Sequence, residues 1–285
     1  MLSKLKRLAL LLEEPPAKVL RRRDVKRRGT FREKEAYGVV GSPAYAYGLL
    51  KAADLARFAG KNKTTVCEFG VATGNGLLSM VSIAEAIRAE TGVEFRIVGF
   101  DAGEGLPTID GFRDHPELWS VGDFRMTNRK ELERRVDGRA ELIFGDIKDT
   151  IDPFVAGLDE SAPIGFISID VDVYSGSKSA LRCLLGRPEL YTPAVSMYCD
   201  DVQFFFANRW CGELLAIDEF NEENEKRKID QDRSLPGRRA EINAPWYRAM
   251  FVAHILDHEM RTRPRARSGL SLEEHFKFMR DFSVI

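Results

Sequence analysis

The feature that most constrains the fold is a short strand that runs directly into a glycine-rich turn and then into a helix. The segment from Thr64 to Phe69 predicts the strand, glycines follow at positions 70, 74 and 76, and the spacing of apolar residues from Leu77 to Ala89 predicts the helix. Glycine allows a tight turn and lets a ligand approach bare backbone amides, and the start of a helix favours a polar or anionic group. This arrangement is typical of α/β proteins, and we expect this chain to bind an adenosine-type cofactor.

Alternating strand and helix patterns continue along the chain and predict a parallel sheet with helices on both faces. The pattern therefore predicts an α/β fold with a doubly wound, mostly parallel sheet whose last strand, within the apolar stretch from Trp246 to Leu256, is antiparallel. Strands are predicted at 66–69, 95–100, 140–144, 164–169 and 194–198. The expected division is a basic N-terminal arm (1–41), a main domain (42–260) and a C-terminal tail (261–285).

Acidic residues follow the predicted strands at the point where each one ends. A single acid in such a place is explained by a cap on the next helix. Acids at five successive strand ends favour a shared site, because ligands bind beyond the carboxyl ends of parallel strands. The acids are Asp101, Asp146, Asp170, Asp172, Asp200 and Asp201.

The glycine motif matches one family pattern better than the dinucleotide pattern G-x-G-x-x-G, since Ser79 stands in the last glycine position. Glu68, Gly70, Gly74 and Gly76 complete the form E-x-G-x-x-x-G-x-G, and with the strand-end Asp101 they resemble the class I S-adenosylmethionine-dependent methyltransferases. Over residues 64–202 the chain is most similar to the macrocin O-methyltransferase type, although the usual Pro-Gly-Gly turn before the Asp-Asp strand is missing. The similar segments are Phe100 to Pro107, Ile169 to Tyr174 and Cys199 to Asp201.

The resemblance implies a Rossmann-like fold with a seven-stranded sheet and S-adenosyl-L-methionine as cofactor, and it assigns a role to each matching residue. Asp101 would accept hydrogen bonds from the ribose hydroxyls, and Asp146 would accept one from the adenine amine. The residues expected around the methionine and ribose parts are Glu68, Gly70, Ala72, Gly74 and Gly76.

Three carboxylates form the predicted metal site: Asp170, Asp200 and Asp201. Oxygen ligands without histidine or cysteine suit Mg²⁺ and similar hard cations. Asp172 is an alternative to Asp170, and a site without metal, in which the Asp pair only caps a helix, also fits the sequence.

The catalytic candidates are Asp170 and two histidines of the last strand region, His254 and His258, with His115 of the long loop as a further possibility. Histidine has the pKa that a general base requires, although a lone histidine is more often structural.

The expected function is transfer of a methyl group to a hydroxyl of a small molecule, a sugar or natural-product scaffold, with help from a divalent metal. One alternative is an NAD(P)-linked oxidoreductase, for which Tyr174 and Lys178 have the Tyr-x-x-x-Lys spacing. The other is a non-catalytic cofactor-binding subunit whose basic arm docks a partner.

Charge and cysteine content limit the remaining possibilities. The 43 basic and 44 acidic residues nearly cancel, so the chain as a whole has no bias towards nucleic acid or membranes. Positive charge is concentrated in residues 1–40, which hold twelve Lys and Arg against five acids. Four scattered cysteines favour a reducing, cytoplasmic location. A homodimer formed through the stretch from Trp246 to Leu256 and the tail is a further expectation.

Overall fold

The computed structural model describes residues 16–237 and 239–262 and is built around one seven-stranded sheet with the order β3-β2-β1-β4-β5-β7-β6. Strands β1 to β5 pair in parallel, whereas β7 is antiparallel to both of its neighbours, β5 and β6. The predicted fold class, including the reversed last strand, is confirmed. The strands are β1 (Lys63–Phe69), β2 (Glu94–Asp101), β3 (Glu141–Phe144), β4 (Ile164–Ile169), β5 (Tyr191–Cys199), β6 (Arg227–Gln231) and β7 (Met250–Ile255).

Helices cover both faces of the sheet, and two further helices precede them. The helices are α1 (Pro16–Arg28), α2 (Phe31–Ala36), α3 (Pro43–Phe58), α4 (Asn75–Thr91), α5 (Arg129–Val136), α6 (Ile147–Ala156), α7 (Tyr174–Leu181), α8 (Gly212–Glu223) and α9 (Glu259–Thr262). Helices α3, α4 and α5 contribute to the core on one face, and α6, α7 and α8 contribute to the core on the other.

Successive side chains of β1 point to opposite faces of the sheet, so this one strand contributes residues to both hydrophobic cores. Val66 belongs to the cluster under α3 and α4, whereas Cys67 and Phe69 belong to the opposite cluster. Phe69 stacks on Phe100 of β2 at 4.6 Å between ring centroids, and Phe154 of α6 meets Phe100 edge-on at 5.0 Å. These central strands are buried on both sides, as parallel strands usually are, so the ends of β1 and β2 have fixed positions.

Two features differ from the sequence-based expectation: the position of β6 and the surface against which β7 packs. The seventh strand, β6, lies in a stretch that is polar and rich in turn residues, and it was not located by pattern. The apolar stretch around β7 is buried between β5 and β6. Its apolar character is therefore explained by the sheet, and the homodimer stays a prediction without this support.

The N-terminal arm is joined to the connection between β6 and β7. Glu35 of α2 and Arg239 form an ion pair in which both side chains are buried. The guanidinium of Arg239 also faces the rings of Tyr47, Trp246 and Tyr247 at 5.2, 5.0 and 5.8 Å. Part of the predicted arm thus packs against the main domain, and the boundary at residue 41 stays a prediction.

All four cysteines are free thiols, and three of them are buried. Within residues 16–237 and 239–262, the helices are too short or too polar to cross a bilayer. The predicted C-terminal tail lies outside the described residues, apart from residues 261 and 262.

Candidate functional site

A cavity of about 980 Å³ opens at the carboxyl edge of the parallel strands. The turn after β1, the long loop after β2, the start of α6 and the ends of β4 and β5 form its walls. Most of the residues predicted for the cofactor and the metal line this one cavity: Glu68, Gly70, Ala72, Gly76, Asp101, Asp146, Asp170, Asp200 and Asp201. Gly74 is at the N-cap of α4, next to the lining residues.

The glycine turn is required by close packing between the ends of β1 and β4. Gly70 has a φ of +88°, and a Cβ at this position would lie 1.7 Å from the backbone oxygen of Asp170. At Gly76 a Cβ would lie 1.9 Å from Oε1 of Glu68. Both positions therefore exclude a side chain, which leaves the backbone of the turn open to the cavity.

Asp101 at the end of β2 fixes the conformation of that turn. Its Oδ2 accepts hydrogen bonds from the backbone N–H groups of Val71 (3.0 Å) and Ala72 (2.7 Å), and its Oδ1 accepts one from Gly103 (2.6 Å). Three backbone donors hold the carboxylate at the wall of the cavity. The acid expected to bind ribose hydroxyls thus also shapes the loops on either side of it.

Glu68 is almost fully buried beneath the turn and has one oxygen without a partner among the described residues. Its Oε1 accepts a hydrogen bond from the hydroxyl of Tyr45 (2.7 Å), whose oxygen also lies 2.9 Å from the Ser168 hydroxyl. Oε2 has no hydrogen-bond partner. Burial raises the pKa of Glu68 to about 8, since a charged carboxylate is unfavourable away from water. Tyr45 is thus a buried support for Glu68.

Asp146 begins α6 and has two local partners. Its Oδ1 accepts a hydrogen bond from the backbone N–H of Lys148 (3.0 Å), which caps the helix, and its Oδ2 lies 2.8 Å from Lys148 Nζ. The side chain lines the cavity, so its expected contact with adenine stays a prediction.

Three carboxylates come together at the ends of β4 and β5, and we call Asp170, Asp172 and Asp201 the acid cluster. One oxygen from each lies within 4.8 Å of the others. Burial and repulsion from neighbouring acids raise the pKa values of Asp170, Asp172 and Asp201 to about 8, 7 and 6. Asp172 has a φ of +62°, the left-handed region that non-glycine residues rarely adopt.

Asp172 thus takes the place that the sequence analysis gave to Asp200. The Asp200 carboxylate accepts a short hydrogen bond from the hydroxyl of Tyr198, and it is not one of the three grouped acids. Asp200 still lines the cavity beside the cluster. The metal assignment stays a prediction, and the geometry favours Asp170, Asp172 and Asp201 as its ligands.

A fourth acid, Glu213 in the first turn of α8, was missed by the sequence analysis. Its Oε2 accepts a hydrogen bond from the backbone N–H of Asp201 (3.2 Å), and its Oε1 has no partner among the described residues. Burial and the nearby acids, Asp201 first, raise the pKa of Glu213 well above its usual value. The sequence holds no signal for this, because an acid in the first turn of a helix is an ordinary helix-stabilising residue.

The structure does not bring His254 and His258 to the cavity. His254 pairs with Ala194, five residues before the end of β5, which is about 16 Å along a strand. The backbone of Tyr191, the first residue of β5, contacts His258. Both histidines are therefore at the opposite edge of the sheet, because β7 runs antiparallel, and the geometry gives their predicted catalytic role no support.

Among the described histidines, His115 is the one that the fold places beside the acids. It is buried in the loop after β2 and close enough to Asp201 to lower the pKa of that carboxyl. Its Nδ1 lies 2.8 Å from Glu117, and its ring meets Phe204 edge-on at 5.1 Å. His115 thus connects the loop after β2 to the loop after β5.

The Tyr174 and Lys178 pair faces away from the cavity. The Tyr174 hydroxyl donates a hydrogen bond to Glu219 of α8 (2.7 Å), and Lys178 donates to Glu219 (2.5 Å) and Glu223 (3.2 Å). Neither side chain lines the cavity. These contacts explain the pair as packing between α7 and α8.

No protein-family model matches this chain, and no curated protein sequence matches it. Among solved structures, calicheamicin methyltransferase CalS11 is similar at 21% identity and a TM-score of 0.49, over 72% of this chain and 77% of that chain. The O-methyltransferase NovP is similar at 15% identity and a TM-score of 0.48, over 78% and 87%. An O-methyltransferase from Bacillus cereus in complex with SAH is similar at 12% identity and a TM-score of 0.41, over 88% and 96%. We therefore infer function from the residues of the cavity.

Proposed function

We propose that this chain is an S-adenosylmethionine-dependent methyltransferase that methylates a hydroxyl of a small molecule with the help of a divalent cation. The main observation behind the proposal is that the expected cofactor site and the acid cluster line one continuous cavity. The glycine turn with Asp101 and the acid cluster are parts of the same wall, at the same edge of the sheet. A cofactor on the turn and a hydroxyl at the acid cluster would therefore be neighbours.

The cofactor half of the cavity fits an adenosine compound that carries an ammonium group. The turn offers backbone without side chains at Gly70 and Gly76. Asp101 is held rigidly at the end of β2. The unpartnered Oε2 of Glu68 would gain a positively charged hydrogen-bond donor, which would offset the cost of its burial. The bound cofactor would supply a methyl group on a sulfonium sulfur.

The acid cluster fits a hard divalent cation. The carboxylates of Asp170, Asp172 and Asp201 repel one another in a partly buried place, and Oδ2 of Asp201 has no partner among the described residues. A cation would remove this repulsion. Bound there, it would lower the pKa of an acceptor hydroxyl and orient it.

The residues of the chain would then hold the acceptor and take its proton. The hydroxyl would lie against the acid cluster, and Asp170 is our choice to accept the proton as the oxygen becomes methylated. A cation would offset the burial and repulsion that raise the pKa of Asp170, so its carboxylate would be ionised and able to accept a proton. The positions of the two reactants, fixed by the ends of β1, β2, β4 and β5, would supply most of the rate increase.

Calorimetric titration tests this proposal. Purified protein is titrated with S-adenosylmethionine, S-adenosylhomocysteine and NAD⁺, each with and without Mg²⁺. We expect micromolar binding of the first two and none of NAD⁺. The variant Asp101→Asn should weaken binding of S-adenosylhomocysteine about tenfold, through loss of a charged acceptor, whereas the control Glu160→Gln, before β4 at the opposite edge, should bind like the parent.

The two alternative functions make different predictions. Binding of NAD⁺ alone would contradict the methyltransferase proposal and support an oxidoreductase, although Tyr174 and Lys178 are held away from the cavity. A non-catalytic subunit would bind the cofactor, but calorimetry would detect no binding of Mg²⁺ to the protein at any Mg²⁺ concentration. Mg²⁺ binding that Asp170→Asn abolishes, with cofactor affinity retained, would count against it.

A further inference from the structure

The cavity wall is strongly acidic. Among the described residues, nine carboxylate side chains line it, and Lys148 is the single basic lining residue. Lys148 is already paired with Asp146 at 2.8 Å, and Glu104 is paired with Arg125 outside the lining. Salt bridges therefore compensate two of the nine acids.

The other seven acids have no Lys or Arg partner within the described ranges. Glu68 and Asp200 accept hydrogen bonds from tyrosine hydroxyls, Asp101 accepts from backbone N–H groups, and Asp123 accepts from the backbone N–H of Ser120 (2.8 Å). The remaining three form the acid cluster. A divalent cation and the net single positive charge of S-adenosylmethionine would together neutralise three of these seven charges, so the loaded cavity would still be negative.

A second part of the wall is apolar and belongs to the loop after β2. Leu106, Trp119, Val121 and Phe124 line the cavity. Trp119 and Phe124 meet edge-on with 5.7 Å between ring centroids, while Val121 and Phe124 remain 66% and 54% exposed. Large apolar side chains exposed inside a cavity are typical of a ligand-binding surface. Asp123 stands among them, so the apolar wall and the negative charge face the same space.

We propose that the methyl acceptor is a neutral or cationic amphiphile, with a hydroxyl for the acid cluster and an apolar, ring-containing body for the wall formed by Leu106, Trp119, Val121 and Phe124. The uncompensated acids weaken the binding of acceptors with a carboxylate or a phosphate, including sugars linked to a nucleoside diphosphate. This inference rests on the proposed function and names the substrate class of that site. Like charges at close range in a cavity of low dielectric repel by more than the thermal energy.

Three probes that share one ring system and differ chiefly in the charge of a short side group test the inference. Dopamine, 4-ethylcatechol and 3,4-dihydroxyphenylacetate share the ring and two hydroxyls and carry charges of about +1, 0 and −1 at neutral pH. Each is titrated into the protein with MgCl₂, with and without S-adenosylhomocysteine. We expect the anionic probe to bind at least about tenfold more weakly than the cationic one. The affinity of the neutral probe should lie between these two or equal that of the cationic probe.

Variants separate the charge effect from a general effect of the fold. Asp123→Asn removes one uncompensated acid and should narrow the gap between the cationic and anionic probes, whereas Glu160→Gln at the opposite edge should leave it unchanged. Phe124→Ala should weaken all three probes alike. Equal binding of the three probes, preference for the anion, or no binding of any probe would overturn the inference. If the parent protein does not bind S-adenosylhomocysteine, the proposed function is overturned instead. This binding is measured separately on the same sample.

Discussion

Substitution of Gly70 by alanine should destabilise the protein far more than the same change at Gly60. Both glycines have positive φ, +88° and +72°, but a Cβ at Gly60 meets nothing within 4 Å. A Cβ at Gly70 would lie 1.7 Å from the backbone oxygen of Asp170, so the ends of β1 and β4 would have to separate by more than an ångström. The left-handed conformation alone costs an alanine about 1–2 kcal/mol, and overpacking adds about 1–3 kcal/mol.

We therefore expect Gly60→Ala to lower the free energy of unfolding by about 1–2 kcal/mol and Gly70→Ala to lower it by about 2–5 kcal/mol. Urea unfolding followed by circular dichroism measures both values. Because the displaced oxygen belongs to Asp170, Gly70→Ala should also weaken Mg²⁺ binding, which Gly60→Ala should not affect. Equal destabilisation by the two substitutions would refute the reasoning, since the contact with β4 would then contribute nothing.

Four further predictions concern the site and its surroundings. The carboxyls of the acid cluster have pKa values raised above those of the unfolded chain. Without a divalent cation, the free energy of unfolding should therefore fall as pH rises from 3.8 to about 8. Thermal melting at several pH values in EDTA measures this fall, and an equally large fall in the presence of Mg²⁺ would contradict the metal site. Asp172→Asn should weaken Mg²⁺ binding, measured by calorimetry, more than Asp200→Asn does. The reverse result would support the ligands expected from the sequence, Asp170, Asp200 and Asp201. Tyr45→Phe removes the donor to buried Glu68 and should lower the free energy of unfolding by about 1–3 kcal/mol in urea; an unchanged value would mean that water replaces the hydroxyl. His254→Ala should leave Mg²⁺ and S-adenosylhomocysteine affinities unchanged, because its side chain lies at the opposite edge of the sheet.

The fold and the glycine turn beside Asp101 were predictable because their signals are local. The strand, the three glycines and the helix that follow Thr64 are contiguous, and apolar periodicity identifies the central strands. β6 escaped prediction because its sequence, Arg227 to Gln231, is mostly polar. Its position at the edge of the sheet requires few apolar residues, and Ile229 is the residue that packs into the core.

The acid cluster and the position of His115 beside it were less predictable because they depend on geometry between distant segments. Spacing alone does not distinguish Asp172 from Asp200. A φ of +62° at Asp172 and a hydrogen bond from Tyr198 to Asp200 decide which one joins the cluster. His254 was placed in an antiparallel strand correctly, but the direction of that strand carries its end away from the site. His115 reaches the acids through a loop whose path has no periodic signal.

The buried pair of Glu35 and Arg239 has a consequence for how the protein is made. The two residues are 204 positions apart in the chain, so at ordinary rates of translation Glu35 waits roughly 10–40 s for its partner to be synthesised. During that time the second helix of the nascent chain presents an unpaired acid and lacks the aromatic residues Trp246 and Tyr247 that later surround Arg239. The segment Pro245–Ala249, which contacts the end of β5 at Asp200–Val202, also arrives last. The side of the cavity at Asp200 therefore reaches its final contacts only late in translation, after the segment Pro245–Ala249 has been synthesised.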